Sequence, residues 1–192
     1  MELRDAIEGR RSCRRYSDRP VDRDLLEDLI RTAVWAPSAL NVQPWHFKAY
    51  VSEKDRGRIL AVMEEAARRF MPKLQQRFEA YPEVVKETQT FITTLGRAPV
   101  CVFVFLNKEY GERHYTDMLQ SAAAAVQNFC LLAHECGLAT CWLTGIRAAE
   151  ELIREQFGEN LGQFVAMLTL GYAEPSTPVV PPRKQGRYAI ID

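Results

Sequence analysis

The hydrophobic positions of the N-terminal part of the chain alternate between helical and strand spacing. A short helix is predicted from Leu3 to Glu8, with Gly9 as the C′ residue that ends it. Asp22 is a favourable N-cap for a second helix. Pro37 is expected to stop that helix, and 46–51 alternates like a strand. The apolar positions of the second helix recur at helical spacing: Leu25, Leu26, Leu29, Ile30, Ala33 and Val34.

The stretch from Glu53 to about Lys86 has a helical, charge-rich pattern and is less apolar than the rest. Pro72 and Pro82 interrupt it, and a proline inside a helix removes a hydrogen bond and clashes with the preceding turn. Two or three helical pieces are therefore expected. We treat 53–94 as a helical excursion within a single domain of residues 1–192.

The second half of the chain continues this alternation. Its predicted elements are a strand at Val100–Leu106, a long helix at Thr116–Glu135 ended by Gly137, a strand at Thr140–Leu143, a helix at Glu150–Gln156 and a strand at Phe164–Leu170. Strands that alternate with helices predict an α+β, three-layer fold in which helices cover a sheet. The proline-rich tail, 173–192, is expected to run extended and to pack on a second copy of the chain.

Composition narrows the classes of function. The 192 residues carry 25 Lys plus Arg and 25 Asp plus Glu, so the formal net charge is zero. Such a balance argues against a general nucleic-acid binder, although a local anion site remains compatible with it. No apolar run approaches the roughly 20 residues of a membrane span, and the charged N-terminus lacks the pattern of a signal peptide. A cytoplasmic, non-membrane protein is expected.

The cysteines and histidines do not suggest a metal site. The five cysteines lack metal-ligand spacing, and none of the three histidines are paired four residues apart. Most of the cysteines are expected to be small buried side chains.

Two segments contain side chains that suit the binding of a small ligand. The first, 10–15, contains four arginines and Ser12 directly after a helix. Guanidinium groups and a hydroxyl suit a phosphate dianion, whereas a solvated basic turn is the more common interpretation of such a run taken alone. The second, 36–47, has Ser38, Asn41 and Gln43 in a loop stiffened by two prolines. Its polar side chains suit the edge of a flat heterocycle or simply satisfy their own backbone, and residue chemistry alone does not decide between these.

Taken together, these segments resemble the FMN-dependent nitroreductase family. That family shows an R-R-S-x-R stretch, then P-V, then A-P-S-x-x-N-x-Q-P-W before a strand. The present chain has Arg10-Arg11-Ser12-Cys13-Arg14, then Pro20-Val21, then the sequence APSALNVQPW from Ala36 to Trp45. The order and the separation of the two motifs both agree.

The resemblance continues along about three-quarters of the chain and is weakest from 53 to 94. Residues 97–100 resemble the A-P-V start of a central strand, and 124–133 resemble the A-x-x-Q-N-x-x-L-A helix. The stretch 137–145 is similar to the G-L-G-T-x-W turn, except that Ala139 replaces a frequent glycine. The spacing of the tail motif also departs from the usual one.

The resemblance implies a central mixed, mainly antiparallel sheet and a homodimer that binds FMN at its interface. The phosphate and ribityl chain would be held by Arg10, Arg11, Ser12 and Arg14. Pro37, Ser38 and Asn41 would contact the isoalloxazine ring from the other subunit, with Gln43 nearby. Thr144 and Gly145 would present backbone N–H groups to the flavin. From the tail, Arg183 or Lys184 would close over the phosphate, with Arg187 as a competitor. The family's ribityl-contacting polar residue in the helix after the first strand cannot be placed.

The implied activity is ping-pong reduction of nitroaromatic, quinone or similar small acceptors by NADH or NADPH, with no protein group acting as acid or nucleophile. The chain has no G-x-G-x-x-G motif, so a separate Rossmann site for the nicotinamide is not indicated. Three alternatives stay open: a flavin-binding protein without turnover, a specialised dehalogenase or flavin-fragmenting enzyme with 53–86 as its lid, and a disfavoured thiol redox protein using Cys136 and Cys141.

Overall fold

The computed structural model describes residues 1–175 and 180–191. In these residues six α-helices and four β-strands follow the predicted order. The helices are α1 (Leu3–Gly9), α2 (Arg23–Ala33), α3 (Glu53–Arg77), α4 (Pro82–Thr94), α5 (Glu112–Glu135) and α6 (Glu150–Phe157). The strands are β1 (Trp45–Tyr50), β2 (Val100–Leu106), β3 (Ala139–Leu143) and β4 (Phe164–Gly171).

The strands form one sheet in the order β1-β2-β4-β3, with β1 and β3 at its edges. All three ladders are antiparallel, with Trp45 opposite Leu106, Val100 opposite Leu170 and Leu143 opposite Met167. The predicted mainly antiparallel sheet is confirmed. Among the residues that the structure describes, the only parallel pairing is a bridge between Ser12 and Thr140 at the outer edge of β3.

Helices cover both faces of the sheet, which confirms the three-layer prediction. Strand β2 shows why its run is continuously apolar: Phe103 and Phe105 face one hydrophobic cluster, and Val102 and Val104 face another. Helices α3, α4 and α6 supply the first cluster, and α2 and α5 supply the second. A strand buried on both sides has no polar face to alternate with.

The segment 53–94 forms two helices, which agrees with the expected two or three helical pieces, and both helices contribute to the core. Pro72 lies inside α3 without ending it, contrary to the predicted interruption, whereas Pro82 starts α4. Met71 and Leu74 on either side of Pro72 are buried in the core, and this burial offsets the local cost of the proline.

Helix ends confirm some predictions and correct others. Asp22 caps α2, since its Oδ1 accepts a hydrogen bond from the Leu25 N–H at 3.0 Å. Gly137 has φ +74 just beyond α5, as a terminating glycine should. Gly9 was predicted outside α1 but is its last helical residue. Its role is close approach, because a Cβ there would lie 2.9 Å from His134 Nε2 on α5.

Within the described residues, no helix is long and apolar enough to cross a membrane. The described part of the tail, 180–191, is exposed and has no helix or strand. The rest of the predicted tail segment, 176–179 and 192, lies outside the described residues.

Candidate functional site at the edge of the sheet

The arginine-rich segment 10–15 lies along the outer edge of β3. Ser12 bridges to Thr140, and the Cys13 N–H donates to the Thr140 carbonyl oxygen at 2.9 Å. The segment then passes under the end of the sheet, where the Tyr16 N–H donates to the Gly96 carbonyl at 2.9 Å. Backbone hydrogen bonds therefore fix the position of the main chain from which these side chains project.

Tyr16 anchors the far end of this segment. It is completely buried, and its hydroxyl lies 2.7 Å from Thr169 Oγ1 on β4. Burial raises the pKa of Tyr16 well above its ordinary value, so the phenol stays neutral and able to donate. One buried hydrogen bond thus links the segment to the core.

The segment concentrates positive charge without compensation. Arg10, Arg11, Arg14 and Arg15 make no ion pair with any carboxylate among the described residues. Burial lowers the pKa of nearby His134 below its ordinary value, and the positive charges of Arg10 and Arg11 lower that pKa further. A cluster of uncompensated cations favours an anionic ligand.

Arg11 has a structural task as well. Its Nη1 donates to the carbonyl oxygens of Glu8 at 2.6 Å and Arg10 at 2.8 Å, so it caps the end of α1. Its Nε is buried and lacks a partner in the described part of the chain. A buried donor without a partner is costly, and a phosphate oxygen would satisfy it.

The second predicted segment forms a strained loop before β1. Leu40, Asn41 and Gln43 all have φ near +50, a conformation that is unusual for residues other than glycine. Ser38 Oγ accepts from the Gln43 N–H at 3.0 Å, and Gln43 Nε2 donates to Asn41 Oδ1 at 3.0 Å. Ser38 thus bonds to the backbone of its own loop, as the simpler interpretation expected, whereas Gln43 and Asn41 bond to each other through their side chains.

This loop leaves apolar side chains exposed rather than burying them. Leu40 is 96% exposed and Trp35, just upstream, is 86% exposed. The loop is fixed to α5, since the Ala39 N–H donates to Ser121 Oγ at 3.1 Å. Backbone strain and exposed large apolar side chains are typical of a surface that binds a ligand or a partner.

The third predicted part is the turn that follows β3. Thr144 comes directly after the last paired residue, Leu143, and Gly145 opens a 3₁₀ turn that runs to Ala149. The first N–H groups of such a turn have no partner inside it and are available to an acceptor. Arg147 secures the turn, because its Nη2 donates to Tyr115 Oη at 2.8 Å and to Glu150 Oε2 at 3.0 Å.

Two of the three parts lie on the same edge strand of the sheet, at its two ends. Ser12 lies beside Thr140 at the start of β3 and Thr144 follows its end, so four strand residues, about 13 Å, separate them. A ribityl phosphate with an attached ring has a comparable reach. The loop 37–43 instead leads into β1, three strand spacings or about 14 Å across the sheet.

Contacts with helix α5 also place the 37–43 loop far from the arginine segment. The loop contacts it at Ser121, whereas Gly9, beside the arginine segment, contacts it at His134. Thirteen helical residues correspond to about 20 Å. One chain therefore does not bring Pro37, Ser38, Asn41 or Gln43 to the arginine segment.

The tail residues Arg183, Lys184 and Arg187 are all exposed. The structure does not bring them to the arginine segment by any hydrogen bond or ion pair that it describes. Their role stays a prediction.

The sequence motifs assigned no cofactor-binding residue to α4. The structure places Lys86, Thr90 and Phe91 across a groove from Arg14 and Arg15. No sequence motif marks these α4 residues, because the contact joins positions about 75 residues apart.

The cysteines do not form a redox pair. Cys141 is buried, and burial raises its pKa to about 11, so it is a thiol at neutral pH. Cys136 is exposed at the end of α5. The described residues contain no cluster of His, Cys, Asp and Glu able to hold a metal ion.

The fold and this site define a helix-covered antiparallel-sheet protein with an anion-attracting edge strand. Residues 7–172 match the model of the nitroreductase family. The chain belongs to that family.

Individual relatives extend this result. YfhC of Bacillus subtilis, provisionally named an NAD(P)H nitroreductase, is 27% identical over 178 residues, which cover 92% of this chain and 87% of YfhC. An iodotyrosine deiodinase of Thermotoga neapolitana is 28% identical over 184 residues, covering 93% and 92%. A Desulfovibrio desulfuricans structure, provisionally named a nitroreductase and solved with FMN, is 27% identical with a TM-score of 0.68, covering 94% and 92%.

Proposed function

We propose that this protein is an FMN-dependent NAD(P)H oxidoreductase that reduces nitroaromatic, quinone or similar flat acceptors in a ping-pong cycle. The observation that carries the proposal is the arginine segment, which forms no ion pair among the described residues and is fixed to the edge of β3. It lies about one strand length from the first N–H groups of the 144–145 turn. Membership of the nitroreductase family, with an FMN-containing relative, supports the cofactor.

The residues present fit FMN. Arg10, Ser12 and Arg14 offer charged and hydroxyl donors to the phosphate and ribityl chain, and each charge-assisted bond contributes about 1.5–3 kcal/mol. Arg11 Nε, buried without a partner among the described residues, adds a fourth donor. Together these bonds account for much of the roughly 8 kcal/mol that micromolar affinity requires.

Bound FMN supplies the transfer of electrons and hydride between donor and acceptor; the chain supplies position and electrostatics. Thr144 and Gly145 would present backbone N–H groups to the ring edge where negative charge builds up on reduction. The cationic segment adds a positive potential that stabilises an anionic ring. Arg147, held by Tyr115 and Glu150, keeps the turn rigid so that its donors are already oriented.

The site is completed by a second copy of the chain. In one chain the 37–43 loop lies at the opposite edge of the sheet from the arginine segment. We propose a homodimer in which Pro37, Ser38 and Asn41 of one subunit, with Gln43 nearby, cover the ring held by the other. The exposure of Leu40 and Trp35 supports this arrangement, because a partner would bury them. Arg183 or Lys184, or Arg187 in their place, would then reach the partner's phosphate site.

The same cleft serves both substrates in turn, which is why no separate dinucleotide domain is needed. The cytoplasm, which maintains reduced nicotinamides, is the proposed location. Conversion of a halogenated substrate is the second candidate, supported by the deiodinase relative. Against it, α3 contributes fully buried Met63 and Ala66 to the core, so α3 cannot open as a lid without exposing that core.

Two half-reactions test the function. The purified protein, reconstituted with FMN, is mixed anaerobically with NADH or NADPH, and the flavin absorbance near roughly 450 nm is followed. We expect bleaching by the donor and recovery when a nitroaromatic or quinone is added, with parallel double-reciprocal plots. Flavin that neither donor bleaches would contradict the proposed activity and would leave a flavin-binding protein without turnover.

A further inference from the structure

A groove of about 570 Å³ lies beside the arginine segment, between it and helix α4. Its volume falls in the range of about 300–1,000 Å³ that is typical of small-molecule sites. The arginine segment contributes Arg14 and Arg15 to its lining, α4 contributes Lys86 and Phe91, and Arg97 also lines it. None of the roles given above to the FMN site uses Arg15, Lys86 or Arg97.

The groove carries an excess of positive charge. Arg97 is already paired with Glu174 at 3.1 Å and Asp18 at 3.4 Å. Arg14, Arg15 and Lys86 form no ion pair within residues 1–175 and 180–191. Even with Glu87 also on the wall, cations outnumber carboxylates. Cations that converge on one groove repel one another unless an anion is bound between them.

Backbone and cation–π contacts hold parts of the groove in place. Gly96, at its base, has φ +58 and accepts a hydrogen bond from the Tyr16 N–H at 2.9 Å. The Arg14 guanidinium lies over the Phe91 ring, with 5.9 Å from Cζ to the ring centroid. A groove of this volume with an excess of cations suits a phosphorylated nucleoside better than a small inorganic anion.

We infer that this groove binds the adenosine 2′-phosphate of NADPH and makes NADPH the preferred electron donor. The inference rests on the proposed function, since it places the nicotinamide against the ring near the 144–145 turn. The groove adjoins the start of β3 and not that turn, so it lies where the distant end of a dinucleotide would reach. Arg15 and Lys86, which both line the groove, would hold a 2′-phosphate that NADH does not have.

Two measurements on the FMN-loaded protein test this inference. The first compares KM for NADPH and for NADH in Lys86→Met and Arg15→Gln. Each change removes one charged contact, so we expect KM for NADPH to rise about tenfold and KM for NADH to change by less than about twofold. Lys73→Met, an exposed lysine of α3 outside the groove, is the matched control and should change neither value.

The second measurement is calorimetric binding of adenosine 2′,5′-bisphosphate, with adenosine 5′-monophosphate as the comparison. The bisphosphate should bind more tightly, compete with NADPH and lose affinity in Lys86→Met. Equal binding of the two nucleotides, or equal effects of Lys86→Met on NADPH and NADH, would overturn the inference. Loss of FMN from Lys86→Met would also overturn it, by assigning the groove to the flavin. Failure of the proposed function is distinct, because the unmodified protein would then be reduced by neither donor.

Discussion

Phe70 and Gly145 are in direct contact: a methyl group on Gly145 would lie 2.9 Å from Cε1 and Cζ of the Phe70 ring. Helix α3 thereby supports the turn that carries the proposed N–H donors. The absence of a side chain at position 145 lets the aromatic ring reach the backbone.

Gly145→Ala should therefore destabilise the protein by about 1–3 kcal/mol, the usual cost of overpacking, and weaken FMN binding because the turn must shift. Denaturant unfolding and flavin titration measure the two effects. Gly57→Ala, in α3 like Phe70, is the control: a Cβ there meets nothing within 4 Å, so alanine should stabilise the protein by about 0.5–1 kcal/mol. Equal behaviour of the two variants would show that the Phe70 contact does not matter.

Replacing Arg10 and replacing Arg11 should have different effects on the stability of the flavin-free protein. Arg11→Gln removes the donors that cap α1, so it should lower the free energy of unfolding of the flavin-free protein by about 1 kcal/mol as well as weakening FMN binding. Arg10→Gln should weaken FMN binding about tenfold or more and leave the flavin-free protein nearly unchanged. If Arg10→Gln alone destabilised the flavin-free protein, the division of roles would be wrong.

Alkaline pH should destabilise the fold through buried thiols. Burial raises the pKa of Cys101 to about 12 and of Cys141 to about 11, above the ordinary value of 9.0. The unfolded chain therefore loses these protons first as the pH rises. Their contribution to stability is complete below pH 9 and is lost as the pH rises toward 11 and 12.

Denaturant unfolding between about pH 8 and pH 11 measures this loss. Cys141→Ala should reduce the slope of the free energy of unfolding against pH, whatever it does to the absolute value. Cys136→Ala, at an exposed position, should leave most of the slope in place. An unchanged slope in Cys141→Ala would argue that other groups dominate.

The sequence predicted those features that depend on local pattern. The order of elements, the cap at Asp22 and the terminating Gly137 follow from spacing and from residue chemistry, and the structure confirms them. The continuous apolar run of β2 was correctly predicted as a buried strand.

Features that depend on distant neighbours could not be predicted in this way. Pro72 does not break α3 because the residues around it are buried against other elements, and local rules do not include that energy. Gly9 packs against the side chain of His134, which lies 125 residues away in the sequence. The start of α5 at Glu112, ahead of the predicted Thr116, adds a polar first turn with no apolar periodicity.

The candidate site shows the same limit. Its motifs were visible in the sequence, but the sheet order was not, and only that order places the 37–43 loop and the arginine segment at opposite edges. The groove beside α4 has no motif at all. A tail residue is still predicted to reach the phosphate, and the candidates are Arg183, Lys184 and Arg187.

The central claim is that each FMN site is built from two subunits, and a mixed dimer tests it. One subunit carries Ser12→Ala with Arg14→Ala, and the other carries Asn41→Ala with Ser38→Ala. Different affinity tags allow the mixed dimer to be purified away from both parent homodimers. In each homodimer every site is damaged, so both should bind FMN weakly.

The measurement is the number of FMN molecules bound per mixed dimer. If segment and loop come from different subunits, one site receives both damaged parts and the other receives both intact parts. The mixed dimer should then bind one FMN with the affinity of the unmodified protein and show half of its activity. A mixed dimer that binds FMN as weakly as the two homodimers would contradict the shared site.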